Sequence, residues 1–278
     1  MKVIRNCLLM CAALAVFTCA QQPQGELRVL FIGNSLTYAN DLPAIVEALA
    51  EASHQKRFVY KTIALPNFGL EDHWQQGEAR NVIAKGKWDV VVLQQGPSGL
   101  EESRRSLLDS VRRFDKEIRA AGAKPALYMV WPAEARFGDF DRVVESYKLA
   151  AEEVKAMLLP AGQAWREAWK RDAKIALYSE DKFHPSVAGS YLAALVMYEN
   201  LFGNSPVGLP ATLKLRSKTL GKIELPLELA KPLQTAAAEA NKPTVNAGVS
   251  ASGDASASKD GASASTSTST NASVSKPH

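Results

Sequence analysis

Hydrophobic and polar positions follow two different patterns between residues 26 and 240. Short apolar runs rich in β-branched and aromatic residues predict strands at 27–32, 58–65, 88–94, 125–131 and 158–161. Apolar residues at helical spacing predict helices at 41–54, 71–85, 103–121, 140–157 and 185–202. The run Val90-Val91-Val92-Leu93 has no polar position, which is typical of a strand buried on both faces.

This alternation of strands and helices predicts an α/β fold. We expect a three-layer α/β/α sandwich around a mainly parallel, five-stranded sheet, because parallel strands need helical crossovers that cover both faces. Ligands of such sheets bind at the carboxyl ends of the strands. Polar residues that directly follow a predicted strand are therefore the first candidates for a functional site.

The composition changes near the end of the predicted domain. Residues 241–278 are mostly Ala, Ser, Thr, Gly and Asn, and Val274 is the one large aliphatic residue between Ser250 and Ser275. Such a segment buries too little apolar area to offset its chain entropy. We therefore predict one folded domain at 26–240, followed by a disordered tail.

The first 20 residues have the pattern of a signal peptide, with a short basic region before an apolar run. The three cysteines, Cys7, Cys11 and Cys19, all lie within it. Its removal excludes disulfides, cysteine-based zinc sites, iron–sulfur clusters and a thiol nucleophile from the mature chain. In a second interpretation Cys19 is the lipidated first residue of a lipoprotein, which would be the only membrane attachment. Either way we predict an exported protein, periplasmic or secreted.

The charge of the chain gives no indication of a nucleic-acid partner. The net charge is +4, and without Lys2 and Arg5 the remaining 31 basic and 29 acidic residues leave +2. No cluster of Lys and Arg stands out, as a nucleic-acid-binding surface would require. Motifs for a dinucleotide, a phosphate loop or a zinc protease are also absent from the sequence. We predict no metal and no cofactor.

Two short segments carry candidate chemistry. Ser35 lies in Gly33-Asn34-Ser35-Leu36, between the first predicted strand and the first helix, where its hydroxyl could stand at the sheet edge. The second segment, Asp181-Lys182-Phe183-His184-Pro185, precedes the last predicted core helix. Asp181 could orient His184, and His184 could accept the proton of a serine nucleophile. Each segment alone is also compatible with an ordinary turn or helix start.

Together the two segments resemble the SGNH/GDSL hydrolase superfamily. Gly33-Asn34-Ser35-Leu36 is similar to the first block of that family, with Asn34 in place of the usual Asp, and Asp181-x-x-His184-Pro185 is similar to its last block. The resemblance covers about residues 27–205 and implies a flavodoxin-like fold and esterase or lipase chemistry. It implies Ser35 as nucleophile, His184 as base and Asp181 as orienting acid.

The resemblance also implies an oxyanion hole with donors from three places. The first two are the backbone N–H groups of Ser35 and of Gly69. The third, an asparagine in the family, is missing here, because Ser98 stands at its position in the run that follows Leu93. A side-chain amide from Gln94 or Gln95 could replace it; between Gln95 and Ser98 we favour Gln95.

Asn34, His73 and Trp74 complete the predicted site as substrate-binding residues. His73 and Trp74 begin the helix that follows Gly69, and Asp72-His73 is not expected to act as a dyad because adjacent side chains point in different directions. The sequence therefore predicts an exported serine esterase that acts on short-chain or acetyl esters on carbohydrate, with a small-molecule or polysaccharide substrate. The alternatives are a lipase or lysophospholipase of the same superfamily and a non-catalytic cell-surface binding module.

Overall fold

A computed structural model describes residues 25–217 and 219–242. The predicted signal peptide at 1–20 and residues 243–278 of the predicted tail lie outside the described residues. Within the described part, no helix has the length and apolar character needed to cross a membrane.

Five parallel strands form the central sheet, as the sequence predicts. Their order is β2-β1-β3-β4-β5. The strands are β1 (Glu26–Gly33), β2 (Arg57–Ala64), β3 (Val90–Leu93), β4 (Lys124–Tyr128) and β5 (Met157–Leu159). All four residues of β3 are buried, which confirms its prediction as a strand covered on both faces.

Helices cover both faces of this sheet. In chain order they are α1 (Ser35–Tyr38), α2 (Leu42–Ala52), α3 (Leu70–Gln76), α4 (Glu78–Lys85), α5 (Glu101–Ala120), α6 (Phe140–Val154), α7 (Ala161–Arg171), α8 (Val187–Phe202) and α9 (Leu227–Ala240). Helices α2, α7, α8 and α9 pack together, while α3 to α6 form the other group. The three-layer α/β/α prediction is confirmed.

The predicted helix at 71–85 is wrong in one respect, because it is two helices. Gly77 lies between α3 and α4 with φ of 83°, and its N–H donates to the His73 carbonyl as a helix C-cap. Glycine adopts this left-handed conformation without the steric strain that a Cβ would cause. The break allows α3 and α4 to pack separately against α5.

The sequence patterns did not predict three parts of the domain. Helix α7 follows β5, and a short antiparallel hairpin, β6 (Thr212–Lys214) with β7 (Lys222–Glu224), precedes α9. Helix α9 packs on α7 and α8. These elements lie beyond the five-stranded core and make the layer around α8 thicker than expected.

Helix α8 approaches its neighbours so closely that Gly189 is required in its first turn. A Cβ on Gly189 would lie 2.3 Å from the carbonyl oxygen of Leu177 and 2.7 Å from the ring of Trp165. This packing matters for function, because α8 directly follows the loop that contains His184.

We predict that Gly189→Ala lowers the free energy of unfolding by about 1–3 kcal/mol, because the added methyl group would force the backbone at Leu177 to move. The matched control is Gly221→Ala, where a Cβ meets nothing within 4 Å. Urea denaturation of both variants checks this. Equal stability of the two proteins would contradict the packing account.

Candidate active site

The segment after β1 places Ser35 at the first position of a short helix. The side chain of Asn34 caps this helix, because its Oδ1 accepts the N–H of Leu36 at 3.1 Å. The N–H of a residue at the first helical position has no intrahelical acceptor. Ser35 is half-buried, and it presents both its hydroxyl and its backbone N–H at the end of the strand.

The buried side chain of Gln94 holds this segment by hydrogen bonds. Its Oε1 accepts the N–H of Asn34 at 2.8 Å and the hydroxyl of Thr37 at 2.7 Å. Its Nε2 donates to Asn34 Oδ1 at 2.9 Å and to the Gln95 carbonyl at 2.7 Å. Gln94 is fully buried, and all of these bonds satisfy its amide. Gln94 therefore positions the nucleophile segment, by which we mean residues 34–37 around Ser35.

Gly33 allows Gln94 to come this close. A Cβ on Gly33 would lie 2.3 Å from Gln94 Oε1 and 2.5 Å from Thr37 Oγ1. The absence of a Cβ at Gly33 therefore allows the Gln94 side chain to approach the backbone closely. The site prediction did not include Gln94 as a support. The available signal was its position directly after β3, the neighbour of β1.

The loop before α8 brings Asp181 and His184 to Ser35. His184 Nε2 lies 2.8 Å from Ser35 Oγ, and His184 Nδ1 lies 2.5 Å from Asp181 Oδ2. The loop is closed by a bridge between Tyr178 and Pro185. The indole of Trp131, three residues after the end of β4, supports it by donating to the Phe183 carbonyl at 3.1 Å.

The environment of Asp181 keeps it ionised. Hydrogen bonds from the His184 ring, the Phe183 N–H and the Ser179 hydroxyl hold the pKa of Asp181 far below its usual value. An ionised carboxylate can only accept, so the proton of His184 is on Nδ1 and its Nε2 is the acceptor that faces Ser35. This arrangement can remove the proton from the Ser35 hydroxyl when that oxygen attacks.

The four predicted oxyanion residues, Ser35, Gly69, Gln95 and Ser98, all line one cavity. Three of them already donate within the protein. The Gly69 N–H donates to Asp72 Oδ2 at 2.7 Å, Gln95 Nε2 donates to Ser98 Oγ at 2.9 Å, and Ser98 Oγ donates to the Gly96 carbonyl at 3.0 Å. The backbone N–H of Ser35 is thus the donor best placed to form a hydrogen bond with an oxyanion.

The predicted substrate contacts differ in their outcome. Asn34 lines the cavity, although its amide already donates to the Phe68 carbonyl at 2.9 Å. His73 is fully buried, and its Nε2 lies 2.7 Å from the Gly33 carbonyl oxygen. It therefore supports the end of β1 from inside, and it is not among the residues that line the cavity.

Trp74 is also not among the residues that line the cavity. Its ring packs edge-on against Phe114, and the guanidinium groups of Arg80 and Arg113 lie over it at 4.9 Å and 5.4 Å from the ring centre. These contacts use the side of α3 that faces α5. In the structure, Trp74 thus makes packing contacts between helices.

The cavity beside Ser35 has a volume of about 550 Å³. Its wall combines apolar side chains with a few charged groups. The apolar part includes Phe68, Pro97, Leu100, Val143 and Phe183. A cavity of this size and composition is typical of small-molecule sites.

Comparison with solved structures found close likenesses in fold. A candidate SGNH hydrolase from Slackia heliotrinireducens is 30% identical, with a TM-score of 0.55, and the match covers 64% of this chain and 100% of that one. A DUF4886 family protein from Bacteroides uniformis is 20% identical over 78% of this chain and 95% of that one, with a TM-score of 0.62. No family model matches this chain, and no curated protein matches it.

A third likeness is to a mutant of an acetyl-xylooligosaccharide esterase from Geobacillus stearothermophilus. It is 19% identical, with a TM-score of 0.52, and the match covers 63% of this chain and 94% of that one. At this identity the likeness, like that to the Bacteroides protein, concerns the fold.

We predict that Gln94→Glu lowers the free energy of unfolding by about 1–3 kcal/mol, because the carboxylate loses both amide donors in a buried network. It should also lower kcat toward any substrate that Ser35 attacks. The control is Gln76→Glu at the exposed end of α3, with an expected change within about 0.5 kcal/mol. Denaturant midpoints and kcat of both variants check this, and similar values for the two would refute it.

The burial of His73 predicts a pH dependence of stability. Desolvation lowers the pKa of His73 below 6.5, against smaller opposing effects of the Gly33 carbonyl and nearby acidic groups. Below about pH 6.5 the unfolded chain binds a proton at this histidine that the folded protein does not yet bind. The free energy of unfolding therefore decreases as the pH is lowered. His73→Gln should flatten this decline between pH 7.5 and 5.5 in urea titrations. An unchanged slope would show that His73 does not contribute.

Proposed function

We propose that this chain, which belongs to the SGNH/GDSL hydrolase superfamily, is a serine esterase that cleaves short-chain or acetyl esters on carbohydrate. The observation that carries the proposal is the continuous hydrogen-bonded chain from Ser35 Oγ through His184 to Asp181, beside a cavity. Serine, imidazole and carboxylate in this order form the activated-nucleophile arrangement of acyl-transfer enzymes.

The reaction begins when Ser35 Oγ attacks the ester carbonyl carbon and its proton moves to His184 Nε2. The carbonyl oxygen becomes an oxyanion, which accepts a hydrogen bond from the Ser35 N–H. The protonated imidazole, stabilised by ionised Asp181, then gives its proton to the leaving alcohol oxygen. A water molecule attacks the acyl-Ser35 ester by the same route in reverse and releases the carboxylic acid.

The oxyanion needs more than one donor for efficient catalysis, since removal of one such donor typically costs about 3–4 kcal/mol. The Gly69 N–H is the next candidate, and Asp72 is its present acceptor. We propose that substrate binding replaces this contact, so that the oxyanion takes the place of the Asp72 carboxylate oxygen. Gln95 or Ser98 would supply the third donor.

The choice of substrate rests on the cavity and on the family. A volume of about 550 Å³ accommodates a sugar-sized group next to Ser35. The fold likeness to an acetyl-xylooligosaccharide esterase is compatible with an acetyl group on carbohydrate. Export through the segment 1–20, with or without lipidation of Cys19, would bring the enzyme to periplasmic or extracellular polysaccharide.

A lipase or lysophospholipase is the second candidate. The apolar side chains in the cavity wall, such as Leu100 and Val143, favour it, because they could pack against a longer acyl chain. A series of p-nitrophenyl esters separates the two functions. Highest kcat/KM for acetate supports the proposed esterase, and highest kcat/KM at eight carbons or more supports the lipase.

We predict that a fluorophosphonate probe labels the wild-type protein and that Ser35→Ala abolishes labelling. Hydrolysis should fall roughly 10⁶-fold, because the nucleophile is lost. The control is Ser106→Ala, which removes another serine from the same cavity wall and should keep labelling. Absence of labelling and of ester cleavage in the wild type would instead favour a binding module.

We predict that Asp181→Asn lowers kcat roughly 10⁴-fold, as expected when the orienting acid of a triad loses its charge and favours the wrong imidazole tautomer. Glu180→Gln is the matched control, because Glu180 is exposed and its substitution removes the same charge at the neighbouring position. Steady-state kinetics on p-nitrophenyl acetate compares them. Equal losses in both variants would exclude a specific role of Asp181.

A further inference from the structure

The cavity beside Ser35 has a single cationic residue in its described wall, Arg136. It belongs to the 3₁₀ turn Glu134–Asp139, which connects β4 to α6. Its side chain is 52% exposed, so the guanidinium is accessible from the cavity. The proposed ester cleavage gives no role to this group.

Arg136 is held in place by Asp139. Its Nε donates to Asp139 Oδ2 at 2.6 Å, and its Nη2 forms an ion pair with the same oxygen. The Asp139 side chain is only 11% exposed, and its other oxygen is paired with Arg142. The two arginines hold the pKa of Asp139 below its usual value, Arg142 being the larger cause. Asp139 therefore stays charged and fixes the direction of Arg136.

Asp139 engages only part of the Arg136 guanidinium. Two guanidinium groups share one carboxylate, so the cluster of Arg136, Asp139 and Arg142 has a net charge of +1. Within the described residues, Nη1 of Arg136 has no hydrogen-bond partner, whereas its Nε and Nη2 are engaged. A planar guanidinium with one edge anchored and another free is well suited to bind a carboxylate.

The other acidic residues of the cavity wall, Glu71 and Asp72, have partners of their own. Glu71 and Asp72 follow β2, while Arg136 follows β4, and the sheet order places β1 and β3 between these strands. Three strand spacings amount to roughly 14 Å at the sheet edge. Glu71 is also paired with Arg113, and Asp72 accepts the Gly69 N–H. On the β4 side of Ser35, the cationic group of the described cavity wall is thus Arg136.

We propose that Arg136 is a specificity-determining residue that binds a carboxylate-type anionic group on the part of the ester away from the scissile bond. This inference rests on the proposed esterase function and names its substrate class as anionic esters, such as acetylated acidic sugars. Arg136 takes no part in bond breaking. Its contribution is to the binding and orientation of the substrate.

The test uses 4-acetoxybenzoate and 4-acetoxybenzamide, two acetate esters of similar shape that differ in charge. Arg136→Gln should raise KM for the carboxylate ester about tenfold or more, because charged hydrogen bonds are the strong ones, and should change kcat/KM for the amide ester little. Arg105→Gln is the matched control. It removes a positive charge that pairs with Glu101 outside the cavity wall, and it should leave the ratio of the two kcat/KM values as in the wild type.

The wild-type preference for the carboxylate ester should also decrease as salt is raised from 0.05 to 0.5 M, because ions screen a partly exposed charge pair. Equal KM ratios in wild type and Arg136→Gln would overturn the proposal. So would the same loss of ratio in Arg105→Gln, since the effect would then follow from the overall charge of the protein and not from Arg136.

Binding to catalytically silenced protein separates this inference from the proposed function. Calorimetry compares 4-acetoxybenzoate with 4-acetoxybenzamide on Ser35→Ala and on the double variant Ser35→Ala/Arg136→Gln. Preference for the carboxylate only when Arg136 is present supports the inference, even if the wild type cleaves neither ester. Equal binding of the two esters overturns it, even if the wild type cleaves both.

Discussion

The parallel pairing of β1 with β3 is the constraint on which the site depends. Ile32 lies opposite Leu93, so the residues that follow them, Gly33 and Gln94, leave the sheet side by side. Because Gly33 has no Cβ, the Gln94 amide can reach Asn34 and Thr37. A slip of this register would separate Gln94 from the nucleophile segment, and the helix that starts at Ser35 would lose its support.

The same buried network extends from Gln94 into the cavity wall. The Gln95 carbonyl accepts hydrogen bonds from Gln94 Nε2 and from the hydroxyl of Tyr147 on α6. Ser146, the neighbour of Tyr147, donates to the Ser98 carbonyl. A buried polar network of this kind is stable only when its members are satisfied, and it then defines one arrangement. The loop after β3 is thus a rigid wall between the nucleophile and the turn that holds Arg136.

The loop that contains Asp181 and His184 depends on a different kind of support. Trp131 stacks on Trp165 with ring centres 3.6 Å apart, and its indole also holds the Phe183 carbonyl. Three loops around the cavity each contain a non-glycine residue in the left-handed region, namely Asn67, Ser98 and Lys182. Such conformations persist where the surrounding packing determines the backbone, and they concentrate at functional sites. The polar network and the aromatic packing meet at the contact between Ser35 and His184.

The sequence alone determined the fold class and predicted three residues, Ser35, His184 and Asp181, that the structure brings into contact. The uninterrupted apolar run of β3 and the helical spacing between strands are local patterns, and the segments with Ser35 and with Asp181 and His184 resemble known blocks. Local pattern also explains the limits of the prediction. Periodicity does not distinguish one long helix from α3 and α4 broken at Gly77, and it did not reveal α7, the hairpin or α9.

The tertiary structure decided which polar residues support the site and which line it. Ser35 and His184 are 149 residues apart, and their contact requires the whole sheet to form. His73 and Trp74 are polar or amphipathic residues next to a predicted loop, yet one is buried under β1 and the other lies between helices. Only packing between distant elements assigns such residues to the core or the cavity. Arg136 and Asp139 are only three residues apart, but it is the fold that brings their turn into the cavity wall beside Ser35.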